Sequence, residues 1–195
     1  MGNTSITFKF LNSLRLIHNE EKYGQISVIK FLVLVIKKIH IALCFRKSYR
    51  PAIFETRSFN NRRAKLWRRM GCKVGANVCI GHSVSLDIGN IELIQIEDNV
   101  IITNNCILLC HRRDVSSYSK YDDSSKLPYI YKPINLKKGC QIGMGSIIMP
   151  GVTIGEGAII AARSVVTKDI PAWTIAAGSP CRVIRELNVR NSNEE

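Results

Sequence analysis

From Leu136 onward an apolar residue returns at every sixth position: Leu136, Ile142, Ile148, Ile154, Ile160, Val166 and Ala172. Neither the 3.6-residue period of a helix nor the two-residue alternation of a strand gives that spacing. The fifth position of each hexad is usually small or β-branched, as at Cys140, Ser146, Val152, Ala158, Ser164, Ile170 and Ala176. The second is often Gly or Ala, as at Gly143, Gly155 and Ala161. Such a hexad predicts one flat side of a triangular coil. Its first residue points into the stack, its fifth fills a tight corner, and three hexads complete a turn.

The same register occurs upstream, from Val74 and Ile80 and again from Ile96 and Ile102. Val74 and Ile96 are 22 residues apart, four more than a three-hexad turn, so a small insertion is expected near Gly89 to Gln95. A larger interruption runs from about Cys110 to Asn135. The six-residue phase holds through Met149-Pro150-Gly151, which ordinary strand alternation would not do. The fold class read from this pattern is mainly β, a parallel β-helix; the alternative is a conventional sandwich.

Upstream of the repeat the character changes. Residues 1–70 contain 15 Lys or Arg and 3 Glu, a balance of +12, whereas residues 71–195 contain 13 basic and 12 acidic side chains, a balance of +1. The expected organisation is a basic, partly amphipathic helical segment over 1–70, the β-helix over 71–187 with its loop at about 110–135, and a polar tail over 188–195. Ile26 to Phe45 is mostly aliphatic, with Lys30, Lys37 and Lys38 close together on a helical projection. That fits an anionic membrane surface better than a nucleic-acid groove, so no nucleic acid is expected. Peripheral membrane contact through residues 26–50 and packing against the β-helix or a neighbouring subunit both remain open.

The uninterrupted apolar stretch Phe31 to Ile36 is too short to span a bilayer, and no secretory signal pattern opens the chain. A cytoplasmic protein, peripheral at the inner face of the membrane if the helix binds there, is the expectation. The seven cysteines form no CxxC pair and are odd in number, so neither a zinc site nor a disulfide framework is expected. Cys106 and Cys140 fall at fifth positions, where a thiol serves as a compact hydrophobe. Arg57 to Met70, ending before Gly71, predicts a helix that caps the open end of the first coil.

A long loop leaving a rigid repeat is where chemistry is to be sought. His111 stands at its root, and imidazole is suited to take a proton from a hydroxyl near neutral pH. Asp114, Asp122 and Asp123 share the loop and are all candidates to orient the ring. Tyr118, Tyr121, Tyr129 and Tyr131 are interleaved with Ser and Asp. Their aromatic faces suit a sugar ring, although Tyr129 and Tyr131 also suit pinning the loop to the coil.

The segments from Ile142 to Pro171 and from Ala177 to Arg185, with their Thr167-Lys168-Asp169-Ile170-Pro171 and Gly178-Ser179-Pro180-Cys181-Arg182-Val183-Ile184 runs, resemble the hexapeptide-repeat O-acetyltransferases. That family includes the maltose and galactoside acetyltransferases and the enzymes that acetylate bacterial exopolysaccharide precursors. The resemblance covers about residues 71–187. It implies a left-handed β-helix with a short C-terminal helix, assembled as a homotrimer with its sites between subunits. It also implies an acetyl-CoA co-substrate, no metal requirement, and a sugar or glycan-precursor acceptor.

On this resemblance His111 is the catalytic base. Gly143, Met144, Ala162, Thr167, Lys168 and Arg185 contact coenzyme A, while Ser85 and Asp87 partly match the residues that hold sugar hydroxyls. Asp114, Tyr118 and Tyr121 complete the expected substrate set from the loop. Gln141 stands where sugar acetyltransferases usually carry Trp, and Met144 replaces a small residue, so the pantetheine pocket is expected to differ in detail. The competing readings are an antibiotic acetyltransferase of the same fold, a covalent mechanism through Cys110, and a non-catalytic trimeric scaffold.

Overall fold

The computed structural model describes residues 5–13, 25–49 and 57–188, in two compact units, 1–43 and 44–195. In the first unit lie helix α1 (Ile6–Ser13) and most of α2 (Val28–Tyr49), where the Ser5 hydroxyl donates to the Ile26 carbonyl at 2.9 Å. No described helix is long and apolar enough to cross a membrane.

The second unit is the repeat. Coil one holds β1 (Lys73–Val74), β2 (Cys79–Ile80) and β3 (Ser85–Leu86); coil two holds β4 (Ile94–Ile96), β5 (Ile101–Ile102) and β6 (Ile107–Leu108). After the loop hairpin of β7 (His111–Arg113) and β8 (Tyr129–Tyr131), coil three holds β9 (Ile134–Leu136), β10 (Gln141–Ile142) and β11 (Ile147–Ile148). Coil four holds β12 (Thr153–Ile154), β13 (Ile159–Ile160) and β14 (Val165–Val166), followed by β15 (Thr174–Gly178) and β16 (Cys181–Glu186). Successive coils pair in parallel, giving a first sheet β1-β4-β9-β12, a second sheet β2-β5-β10-β13-β15 and a third sheet β3-β6-β11-β14.

The hexad positions take the places their chemistry dictates. Ile80, Ile102, Ile142, Ile148, Ile154 and Ile160 point inward and are all but inaccessible, and the fifth-position residues Val100, Cys106, Cys140, Ser146, Ala158 and Ser164 are fully buried. Each aliphatic side chain so buried contributes about 1.5–3 kcal/mol. Corners turn through the left-handed backbone region at the fourth position, as at Asn77, Asn99, Asn105, Gly139 and Gly145, where Asn and Gly tolerate positive φ. The insertion expected near Gly89 is a 3-10 turn, Ile88–Leu93.

Two expectations are corrected at the C-terminal end. Register partners Ile160 and Ala176 are separated by 16 residues, two fewer than a full turn. The phase therefore slips: Ala172 is exposed and Ala176 takes the inward position. Among the described residues no C-terminal helix follows the coils: Cys181–Glu186 folds back as β16 and pairs antiparallel with β15.

Helix α3 (Arg57–Met70) covers the start of the stack. Ala64, Trp67 and Met70 share one buried face, and the helix closes in a Schellman arrangement at Gly71, with the Cys72 N–H donating to the Trp67 carbonyl at 3.1 Å. Arg63 donates to the carbonyls of Ser48 (3.1 Å) and Ile80 (3.2 Å), and Arg68 donates to Val74 (2.8 Å). Carbonyls around the first coil are thus satisfied by guanidinium groups. The Trp67 indole N–H donates to the Ser48 hydroxyl at 3.0 Å, tying in the last turn of α2.

Candidate active site

The edge where the third sheet gives way to the first is built from Asp87, Leu109–His111, Met149–Gly151 and Thr167–Asp169, one contribution per coil. Two coils turn this corner tightly and two do not. After β3 the chain inserts the 3-10 turn, and after β6 it leaves the stack entirely. At the root of that excursion His111 pairs with Tyr131 across the two-stranded ribbon, Arg112 with Ile130 and Arg113 with Tyr129. The Lys132 N–H donates to the Cys110 carbonyl at 2.9 Å and closes the ribbon's base.

His111 Nδ1 donates to Asp87 Oδ2, a contact that crosses from one coil to the next. The Asp87 side chain is nearly inaccessible and also accepts from the Asn90 side-chain amide at 3.1 Å and the Cys110 N–H at 3.3 Å. Three donors from the inserted turn and the loop root therefore fix one carboxylate. A carboxylate only accepts, so in the neutral ring the proton sits on Nδ1 and Nε2 keeps its lone pair. The His111 side chain is 38% exposed, leaving the ring open on one side.

None of the three loop carboxylates weighed for orienting His111 is its partner. Asp114 accepts from the Ser116 N–H at 3.0 Å, which holds its carboxyl below the ordinary range. Asp122 accepts from the Ser119 N–H at 2.8 Å. Asp123 caps the turn before Ser125 at 3.0 Å, and the Ser125 hydroxyl and N–H lower its pKa. Tyr118 and Tyr121 lie further out along the loop, and Tyr121 is 92% exposed. Beside His111 stand instead Tyr129, with ring centroids 5.3 Å apart, and Tyr131, at 6.0 Å. Ser85 lies on the outer face of β3, two residues before Asp87.

Cys110 is buried, and burial, reinforced by the Asp87 and Glu92 carboxylates, pushes its thiol up to about 12. A thiol so placed stays protonated near neutral pH, which argues against the covalent mechanism.

On the other face of the ribbon a cleft of ≈ 420 Å³ is lined by Arg112, Lys132, Met149 to Val152, Thr167, Lys168 and Asp169. The stem of Lys132 lies over Gly151, where an added Cβ would come within 2.8 Å of it. The Asp169 carboxylate is engaged by the Thr153 N–H at 2.8 Å. Arg112, Lys132 and Lys168 make no salt bridge among the described residues, so the cleft is cationic and suited to phosphoryl oxygens.

The remaining residues expected at coenzyme A lie elsewhere on the prism. Met144, half exposed, and Ala162 stand one above the other at the edge between the second and third sheets. Arg185 is on β16, paired with Ile175. At Gly143 the space a side chain would fill is occupied by backbone, with the Ala162 nitrogen 2.4 Å from an ideal Cβ. Coil stacking alone accounts for that glycine.

Residues 133–168 match the family model of the bacterial transferase hexapeptide (six repeats). The galactoside O-acetyltransferase of Escherichia coli (strain K12) is 39% identical over 124 residues, covering 61% of this chain and 59% of that protein. The chain thus matches less than two thirds of the length of its curated relatives. The crystal structure of a maltose O-acetyltransferase from Clostridium difficile 630 is similar with a TM-score of 0.60 and 26% identity, over 80% of this chain and 89% of that one. That of a galactoside acetyltransferase in complex with coenzyme A gives 0.57 and 27%, over 80% and 82%. The chain therefore carries the bacterial transferase hexapeptide repeat, folded as a left-handed β-helix, and is similar in sequence and in fold to galactoside and maltose O-acetyltransferases.

Proposed function

We propose that this chain is an acetyl-CoA-dependent O-acetyltransferase whose acceptor is a hydroxyl of a sugar or glycan precursor, of the kind used to build exopolysaccharide, capsule or lipopolysaccharide. The observation that carries the reading is the His111–Asp87 pair: an imidazole held by a buried carboxylate through Nδ1, with no partner on Nε2 among the described residues and 38% of the side chain exposed. The names of the sequence relative and of the solved structures support acetyl transfer to sugar hydroxyls and the use of coenzyme A.

Acetyl-CoA, when bound, would supply an activated acetyl thioester. His111 Nε2 takes the proton from the acceptor hydroxyl as that oxygen attacks the thioester carbonyl, and the imidazolium returns it to the departing sulfur. Asp87 keeps the ring in the productive tautomer and stabilises its charged form, as the third member of a hydrolase triad does. Thr167 and Lys168, with Arg112 and Lys132 beside them, fit the phosphate-bearing end of the coenzyme; Met144, Ala162 and Arg185 are proposed to contact the remainder.

The outer faces of the coils support assembly as a homotrimer. The second sheet presents Cys79, Ile101, Gln141, Ile159 and Ile175 outward and the third presents Ser85, Ile107, Ile147 and Val165, mostly aliphatic rows, whereas the first presents Lys73, Gln95, Asn135 and Thr153. Copies meeting through the two aliphatic faces would place the His111 edge, which bounds the third sheet, at a subunit boundary. We place the protein in the cytoplasm. Peripheral membrane contact through residues 26–50 is supported by the five Lys or Arg and the absence of any acid over residues 25–49.

The test is a panel of sugars, sugar nucleotides, chloramphenicol and a streptogramin, each incubated with acetyl-CoA while free thiol is followed and the acceptor is weighed by mass spectrometry. A 42-dalton gain, about the mass of an added acetyl group, on a sugar is the expected result. Acetylation of the drugs alone would replace the sugar reading, and failure to bind coenzyme A would leave a scaffold.

A further inference from the structure

The tyrosines around His111 are not equivalent. In the antiparallel ribbon, residues directly opposite one another project to the same face, so His111, Tyr131, Arg113 and Tyr129 form one surface and Arg112 and Ile130 the other. The Tyr129 ring is already used. The Arg113 guanidinium lies over it, 4.0 Å from the centroid, and the same guanidinium donates to the Leu127 carbonyl, fastening the loop to the ribbon. Tyr129 also meets His111 edge to face, at an interplanar angle of 75°.

Tyr131 carries no such load. It is 55% exposed, no cation among the described residues covers it, and its ring is tilted 38° from that of His111. With Tyr129 6.3 Å away at 43°, it makes one wall of a shallow aromatic corner whose floor is the imidazole.

We propose that Tyr131 is the platform for the acceptor, a specificity-determining residue that takes the apolar C–H face of a pyranose ring and so presents a ring hydroxyl to His111. This deepens the acetyltransferase reading and rests on it for the role of His111. The chemistry is that of an aromatic face. It carries negative charge density, the axial C–H groups of a pyranose are weakly positive, and the ring hydroxyls remain directed outward for hydrogen bonding. A linear alcohol offers no comparable face, so the platform selects cyclic acceptors.

Two measurements on the full-length protein test this, using methyl pyranosides and n-butanol as probes. Saturation-transfer NMR needs no turnover: protein-to-pyranoside transfer should be strong at the C–H face, fall away in Tyr131→Ala, survive in Tyr131→Phe and be unaffected by Glu156→Gln, an exposed position on coil four. In steady-state assays Tyr131→Ala should raise the pyranoside KM about tenfold, the most that an aromatic contact is ordinarily worth, with the acetyl-CoA KM unchanged. Pyranoside binding that is the same in Tyr131→Ala would overturn the platform, as would n-butanol competing equally with the pyranosides. A Tyr131→Ala protein that loses its trimeric mass while its acceptor KM holds would make Tyr131 a subunit contact instead. Binding at Tyr131 without any acetyl transfer would refute the enzymatic reading and leave the platform standing.

Discussion

Among single residues, one buried carboxylate, Asp87, fixes the orientation of one histidine, His111. Asp87→Asn keeps the shape of the side chain but replaces an acceptor-only group with an amide that can present N–H to the ring, favouring the wrong tautomer. The expected result is a fall in kcat of about 10²–10⁴ with the acetyl-CoA KM nearly unchanged, read from initial rates across coenzyme concentration. Cys110→Ala, in contrast, should keep most of the activity, because its buried thiol, pushed up to about 12, has no chemical part. His111 itself was legible from its place at the root of the loop. Its partner was not legible as such. Asp87 matched a sugar-binding position, and it is 24 residues away in sequence. Only coil stacking and the inserted turn bring it beneath the ring, while the nearer acids spend themselves on local turns.

At the scale of the element, each coil is held by close backbone approach on its flat sides and by small side chains in its corners. Gly143→Ala would drive a Cβ against the backbone of Ala161 and Ala162, which cannot move without parting two coils. A loss of about 1–3 kcal/mol by urea unfolding is expected. Gly157→Ala meets the Trp173 ring from the next coil at a positive φ of 62° and should cost as much.

The core thiols add a pH dependence. Burial raises Cys72, Cys110 and Cys140 from 9.0 to about 12, so the native state resists ionisation that the unfolded chain undergoes. Their contribution to stability is complete below pH 9 and is lost as the pH climbs from 9 toward 12. Unfolding midpoints measured at pH 7.5 and pH 10.5 should fall between those two conditions, and less so in Cys140→Ala.

The hexad rhythm showed these elements plainly, since an inward isoleucine and a small corner residue are chemical necessities of a triangular coil. It failed at the last coil, where a two-residue shortening left no change of composition to mark it. The C-terminal helix was an implication of the family resemblance rather than of the rhythm, and pairing with β15 decides the conformation of Cys181–Glu186 instead.

At the scale of the molecule, the boundary between the two units falls after Leu43, inside α2. Cutting there preserves Ser48, whose carbonyl and hydroxyl serve Arg63 and Trp67, and Tyr49, whose carbonyl accepts from the Ser83 N–H at 3.1 Å. A protein lacking residues 1–43 should therefore keep its thermal midpoint and its activity on soluble acceptors while failing to sediment with anionic vesicles. One lacking residues 1–50 should unfold several degrees lower, because the Trp67 indole N–H and the Arg63 Nε–H lose the acceptors that Ser48 supplies. Full-length protein that never sediments with vesicles would remove the membrane proposal.

Release of free coenzyme A thiol from acetyl-CoA with an acetylatable sugar present, compared between the wild type, His111→Ala and Asp87→Asn, decides whether the His111–Asp87 pair carries the chemistry. The His111–Asp87 account predicts sugar-dependent release by the wild type, none measurable above background in His111→Ala, and slow release by Asp87→Asn from a protein that still binds the coenzyme. Undiminished release by His111→Ala would contradict it.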